Sequence, residues 1–390
     1  MKSKIIGPND PALDVLQRAL EQHPELGLTL EIIPWPQYRA TLMDALQAEA
    51  TPYQAVFVPG HIWLPELASA GYLAEIDTLM AEAPQALVEA YAPADIVPAV
   101  AEESRFGEHQ YQLPFFTDGH ILFYRADVLP LDDTQGVPVV PTRQVRALAA
   151  EVHRPPEVYG LALKADVSEI FTDWLPYLWE AGGTIFDAEG RPALDSETNI
   201  EALAYYCDLR ALCPPQTHTY GNAEIAESLR RGEAALVATW GGQAAPIVLD
   251  PANPWREIYK AAVFPVPWNA TWGIAIPRNQ PREAQAKVLE ALLQVLTPAQ
   301  DQEIIRRAGS PVRQSSYTPA ALEAYRWLAA QQAMLQRAKP LPARPELGLF
   351  LGGLYEAVHS AFTGQSSPSQ ALRTAQRQAE RLLEEAQSNG

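Results

Sequence analysis

Apolar residues recur along the first third of the chain in two alternating rhythms. Ile5-Ile6 and Leu28-Thr-Leu-Glu-Ile-Ile33 carry the short or alternating pattern of strands, and Ala55-Val-Phe-Val58 is the continuous run of a buried strand. Between them, Pro11 to Gln22 and Tyr38 to Ala50, with Leu42, Ala45 and Leu46 on one face, have helical spacing. A further helix from Ile62 to Ala70 stops at Gly71. Asp10 before Pro11 reads as an N-cap with proline at the first helical position. Strand–helix–strand–helix–strand predicts a parallel sheet with covering helices. Such a sheet binds ligands beyond the carboxyl ends of its strands. Here those ends carry Asn9 and Asp10, Trp35 to Tyr38, and Gly60, His61 and Trp63. The plainer alternative is that Asn9 and Asp10 only cap the helix and His61 is a surface residue.

The pattern then changes at Leu113-Pro-Phe-Phe-Thr-Asp-Gly-His-Ile-Leu-Phe-Tyr-Arg125. Pro114 has no N–H for a ladder and argues against a central strand there, whereas Ile121 to Tyr124 is a β-type run. Phe115, Phe116 and Asp118 lie between as exposed-looking groups, so the stretch reads as a first passage between two globules that also contacts a ligand. A second set of elements follows. Thr142 caps a helix over Arg143 to Val152, Tyr159 to Leu163 is a strand, and Phe171 to Trp179 is an aromatic helix. Ser196 opens a helix containing Cys207, Ile225 to Arg231 is helical, and the strand Ala234 to Thr239 delivers Trp240-Gly241-Gly242. After Ala262 to Phe264, the segment Pro265 to Trp272 reads as a second passage and Ala308 to Arg313 as a third. Thr297-Pro-Ala-Gln300 and Ser367-Pro-Ser-Gln370 are capping boxes. These divisions put residues 1–113 and 268–308 in an N-terminal lobe, and 114–267 and 309–390 in a C-terminal lobe.

Composition narrows the function classes. A chain of 390 residues is long for one core. Its net charge of −18 excludes a basic nucleic-acid surface. No run of about 18 apolar residues encodes a transmembrane helix. Met1 to Ile6 passes into a strand with no apolar signal core, which leaves a cytoplasmic chain or one whose export signal is absent. Two cysteines are too few for a disulfide scaffold. In an intact helix Cys207 and Cys213 stand ~9 Å apart, too far to bridge. A disulfide therefore needs the chain to turn back at Cys213-Pro214-Pro215; otherwise both are buried thiols. The 35 prolines, about twice the usual share of roughly 5%, fall largely in loops and at helix starts.

Tyr111 to Asp118 with Leu122 to Arg125, Pro141-Thr142, Leu178-Trp-Glu-Ala-Gly-Gly183, Gly232 to Leu236 and Trp240-Gly241 occur in a recognisable order. Thr271-Trp-Gly-Ile-Ala-Ile-Pro277, Leu296 to Gln300, and Thr363-Gly364 before Ser367-Pro368 continue it over nearly the whole chain. In these features the chain resembles the extracellular solute-binding proteins of carbohydrate ABC importers, the cluster that includes maltose-binding proteins. The resemblance implies an α/β, two-lobed, periplasmic-binding-protein-like fold of type II, with the ligand in a cleft between lobes joined by three crossings. It implies a non-enzymatic, cofactor-free monomer, periplasmic or extracellular, lipid-anchored in some organisms, which hands a sugar to the transmembrane subunits of an ABC permease. Carried onto this sequence, the family's ligand contacts fall on Asn9, Asp10, Asp118, Trp240, Trp272 and Arg344. Two departures leave the sugar open: Asn269-Ala-Thr271 stands where many relatives have two glycines, and His61 where relatives often have an acid.

A pyranose has apolar C–H faces and a rim of hydroxyls, so rings cover the faces while carboxylates and amides take the rim. Nine tryptophans are available. Tyr38, His61, Trp63, Phe116, Gly241 and Trp268 join the candidate ligand contacts on this ground, with Asp118 as the main hydroxyl acceptor. Filling a large core is the competing role for the tryptophans. A glycoside hydrolase would need a carboxyl pair at a defined separation, for which Asp10 with Asp118 is conceivable. His61, His109 and His120 lack metal-ligand spacing, and no metal is expected. A polyamine, metal-anion or peptide ligand on the same fold is the nearer rival.

Overall fold

The computed structural model describes residues 3–389; residues 1, 2 and 390 of the lobe boundaries above lie outside it. The chain divides into two compact units. The first runs through Asp118 and adds Ala270–Tyr325 and Ala343–Pro345; the second comprises Gly119–Asn269, Arg326–Pro342 and the chain from Glu346 onward.

In the first unit Ser3–Pro8 lies between Leu28–Ile33 and Ala55–Pro59, all parallel, with Ile5 opposite both Leu30 and Ala55. Asn269–Ala275 adds antiparallel to Ala55–Pro59 with Trp272 opposite Pro59, and the strand Leu113–Arg125 follows it in the sheet. The helix Pro11–Gln22 buries Leu13, Leu16 and Leu20, and Asp10 starts it by accepting the Ala12 N–H at 2.8 Å. A second helix occupies Trp35–Gln47, beginning three residues before the expected Tyr38, because Pro36 is preorganised for a first turn. The next is short, Leu64–Ser69. Because the three parallel strands end side by side, the loops after Pro8, Ile33 and Pro59 share one edge.

The strand Leu113–Arg125 is continuous despite Pro114 near its start. Phe115 and Phe116 are buried rather than exposed. Phe115 stands edge-on to Phe57 at 5.5 Å. The boundary between units falls at Asp118–Gly119, inside this strand rather than before it.

Ala308 to Arg313, expected as a third passage, stays within the first unit, and the chain leaves only after Tyr325. The buried Asp301 explains this: its carboxylate accepts the N–H groups of Val312 and Arg313 at 2.9 and 3.1 Å. Arg313 in turn donates to the carbonyls of Ala92 and Leu296. These bonds fasten the segment to the first unit.

In the second unit the latter half of Leu113–Arg125 pairs antiparallel with Ala234–Trp240, His120 opposite Trp240, and with Tyr259–Ala262. Tyr159–Ala162 adds parallel to Ala234–Trp240. Thr142 is the first helical residue rather than the cap, and its N–H is satisfied by Glu180 at 2.8 Å. The Ser367 capping box forms as expected, with reciprocal bonds to Gln370. The helix Glu197–Asp208 tightens into a 3-10 turn over Leu209–Leu212, and Cys207 and Cys213 are both free thiols.

Candidate functional site

Each unit carries one concentration of rings and polar groups at strand ends. In the first unit Trp35 and Trp63 stack at 5.4 Å and 5°. Trp272 stacks on Phe116 at 5.8 Å and 9° and meets Trp35 nearly edge-on at 5.8 Å and 68°. Trp35 is 41% exposed and Trp272 half-buried, whereas Trp63 and Phe116 are buried. The accessible faces are therefore those of Trp35 and Trp272, with Trp63 and Phe116 as their backing. Two pure aliphatic neighbours would not hold rings at such defined angles; offset-stacked and edge contacts do.

Backbone bonds place Trp272. The Thr271 N–H donates to the buried Glu103 carboxylate at 2.9 Å, and its carbonyl accepts the Gly60 N–H at 2.8 Å. Gly60 is needed for this approach, since a Cβ there would stand 2.4 Å from the Glu103 carbonyl oxygen. His61 follows, its ring 6.4 Å from that of Trp272. Burial, partly offset by a bond with the Thr271 backbone, pushes its pKa down to about 3, so the ring is neutral at pH 7.

The polar candidates of this unit divide. Asn9 is exposed at the strand end. Asp10 is committed to capping, and burial raises its carboxyl to about 6. Asp118 accepts a hydrogen bond from the Ser310 hydroxyl at 3.2 Å. Tyr38 is a core residue: fully buried, its hydroxyl donates to the Phe57 carbonyl at 2.6 Å. Arg344 belongs to the short segment Ala343–Pro345 of the same unit.

In the second unit the ladder sets His120 opposite Trp240, their rings 4.6 Å apart. Trp268 is buried edge-on against Trp240 at 5.0 Å. The half-buried Trp240 is held on three sides. Its indole N–H donates to Asn222 at 2.9 Å, the Asn222 amide donates to Glu169 at 3.3 Å, and Glu169 pairs with Lys164 at 3.3 Å. The Lys164 ammonium returns to lie 3.9 Å from the Trp240 ring centre. Gly241, buried, opens the helix Gly241–Leu249 directly after the tryptophan.

Beneath this ring, His120 and Asp173 approach at 3.2 Å, and the Tyr206 hydroxyl donates to Asp173 at 2.7 Å. Burial raises Asp173 to about 7, against the opposing Tyr206 bond and Lys164 charge. Burial, with Lys164 nearby, drives His120 well below its ordinary value. Among the described residues no group of three or more His, Cys, Asp or Glu is placed to hold a metal, and no helix is long and apolar enough to cross a membrane.

The model of the bacterial extracellular solute-binding proteins matches residues 8–303, well over half the chain. The chain belongs to that family. This solute-binding protein is 25% identical over 321 residues to a probable ABC transporter-binding protein of Deinococcus radiodurans, covering 73% of this chain and 72% of the other. It is 23% identical to a mannitol-binding protein of Pseudomonas aeruginosa, over 94% and 88% of the two chains. Among solved structures, a ribitol-bound ABC transporter solute-binding protein of Agrobacterium radiobacter superposes with a TM-score of 0.86 at 21% identity, over 97% and 98% of the chains. A maltose-bound protein of T. maritima superposes with a TM-score of 0.82 at 19% identity, over 97% and 99%. The two-unit α/β architecture is thus that of the maltose-binding-protein-like fold, in a family of binding proteins that work outside the cytoplasm.

Of the expected contacts, the fold of the first unit gathers His61, Trp63, Phe116 and Trp272 around one corner, and the second unit gathers Trp240, Gly241 and Trp268. Trp35 was named only as part of a strand-end loop and not among the ligand contacts, and Asn222, Lys164 and Glu169, which surround Trp240, were not singled out in the sequence. Trp35 had a signal, as a large ring in a strand-end loop; the other three acquire meaning only through contacts distant in sequence.

Proposed function

We propose that this solute-binding protein captures a neutral sugar or sugar alcohol and delivers it to the membrane permease of an ABC importer. The observation that carries the reading is the pair of indoles Trp35 and Trp272, set edge-on at 68°, backed by stacked rings and flanked by an uncharged His61. Such faces suit the C–H surface of a saccharide or extended polyol, and hydroxyls are suited by Asn9 and Asp118. Trp240 offers a comparable ring in the second unit. The relatives support both halves: a mannitol-binding protein by name and structures bound to ribitol and D-mannitol for the polyol, and one bound to tagatose for the sugar.

A thermal-shift panel of D-mannitol, ribitol, D-tagatose, maltose, D-glucose, putrescine and spermidine tests this, since a ligand of the native state raises the melting temperature. At least one saccharide or polyol should shift it. A shift by polyamines with none by any sugar or polyol would replace this reading.

A further inference from the structure

We propose that Arg39 and Glu66 are positioning residues for the ligand surface of the first unit. They act through Trp63, holding the indole against which the accessible ring of Trp35 is stacked. The inference rests on reading Trp35 as a ligand-contacting ring, and deepens it by naming what sets that ring's plane.

Trp35 is the first residue of the helix Trp35–Gln47, and the N-cap, Pro34, makes no side-chain capping bond. A first turn has backbone N–H groups without partners inside the helix, so helix ends fray most readily. What orients Trp35 is its neighbouring rings. Its closest and most nearly parallel contact is with Trp63, at 5.4 Å and 5°. Trp272 stands at 5.8 Å and 68°, and Tyr38 at 6.3 Å and 19°. The plane of Trp35 is therefore that of Trp63.

Trp63 is in turn held by charge. The Arg39 guanidinium carbon lies 5.0 Å from its ring centre, within the distance at which an indole face attracts a cation. Arg39 follows Trp35 by one turn, at i and i+4 on the same helix face. One helix thus supplies both the ring that stacks on Trp63 and the cation that lies over it. The far end of Arg39 is fixed from the next helix. Its Nη2 donates to both carboxylate oxygens of Glu66, at 2.9 Å each, and Glu66 lies in the first turn of Leu64–Ser69, directly after Trp63. The Arg39 and Glu66 side chains are 42% and 29% exposed, and a pair so open to water adds little to folding. Its consequence falls on the ring. Without it, binding must first restore the orientation of the stack, an ordering cost that lowers affinity.

The test compares Arg39→Met, Arg39→Lys and Glu66→Gln with wild type, titrated calorimetrically with D-mannitol, ribitol, D-tagatose, maltose and D-glucose. Methionine keeps the alkyl bulk without the charge. Lysine can replace arginine here, because both contacts with Glu66 come from a single nitrogen. Arg39→Met should weaken binding by roughly threefold to tenfold, the scale of a cation–π contact, and Arg39→Lys should stay within about twofold of wild type. A second readout needs no ligand: the 19F line of Trp35 in 5-fluorotryptophan-labelled protein, assigned by its loss in Trp35→Phe. That line should move in Arg39→Met and hold its place in Arg39→Lys. Glu66→Gln should shift both readouts in the same direction by less, and it decides the matter if Arg39→Met does not fold. If none of the five probes binds wild type, the sugar-or-polyol reading falls and this inference with it. If one binds, three results overturn the inference alone: affinity unchanged in Arg39→Met and Glu66→Gln, Arg39→Lys as weak as Arg39→Met, or a Trp35 line that moves in none of them.

Discussion

Asn222 accepts the indole N–H of Trp240 at 2.9 Å, from the first residue of one helix to the last residue of the neighbouring strand. The bond fixes the plane of the ring before any ligand arrives, which lowers the ordering cost of binding. Asn222→Ala should therefore weaken binding of the saccharide or polyol identified by thermal shift by roughly threefold to tenfold, the scale of one hydrogen bond. Asn222→Gln, which keeps both the acceptor and the amide donor that faces Glu169, should recover part of it. Calorimetric titration of both variants checks this, and equal losses would show that the acceptor does not matter.

Trp272 and Trp63 should separate binding from stability. Trp272→Ala removes an accessible ring and should cost about tenfold or more in ligand affinity. Trp63→Ala empties a buried position behind Trp35 and should cost about 3–5 kcal/mol of folding stability. Urea unfolding alongside titration distinguishes the two. An unchanged affinity in Trp272→Ala would remove that residue from the binding surface.

Asp10 links pH to stability. Burial holds its carboxyl at about 6 in the folded chain, so between about pH 4 and 6 the native state keeps a proton that the unfolded state releases. Stability from this group falls as pH rises through that window and is level above it. Asp10→Asn can still cap the helix but cannot titrate. Relative to wild type it should gain up to ~3 kcal/mol between pH 4 and 6. Denaturation series at several pH values read the difference directly; a constant offset between the two proteins would contradict it.

The two thiols should be inert in the native protein. Burial raises Cys207 to about 12 and Cys213 further still, leaving little thiolate at neutral pH. A thiol-specific disulfide reagent should label native protein at least about a hundredfold more slowly than denatured protein, which should expose two thiols without prior reduction. Rapid native labelling would show that one of them opens readily.

Periodicity and capping chemistry determined most elements of this chain, because those signals are local: Asp10 with Pro11, Thr297 with Gln300, and the apolar run Ala55 to Val58 declare themselves within a few residues. The order of motifs likewise marked the family. Tertiary structure alone decided which ring faces out. Trp63 and Phe116 look like Trp35 and Trp272 in sequence, yet stacking buries the first two and leaves the others accessible. It also decided that Tyr38 serves the core, through its bond to Phe57, and that Ala308 to Arg313 stays in the first unit, through Asp301. The Trp240 surface shows the limit most clearly. The tryptophan stands out in the sequence, but Lys164, Glu169 and Asn222 are ordinary polar residues until a strand end, a turn and a helix start bring them together. Their contacts with and around the indole depend on distance and burial, quantities that no local pattern encodes.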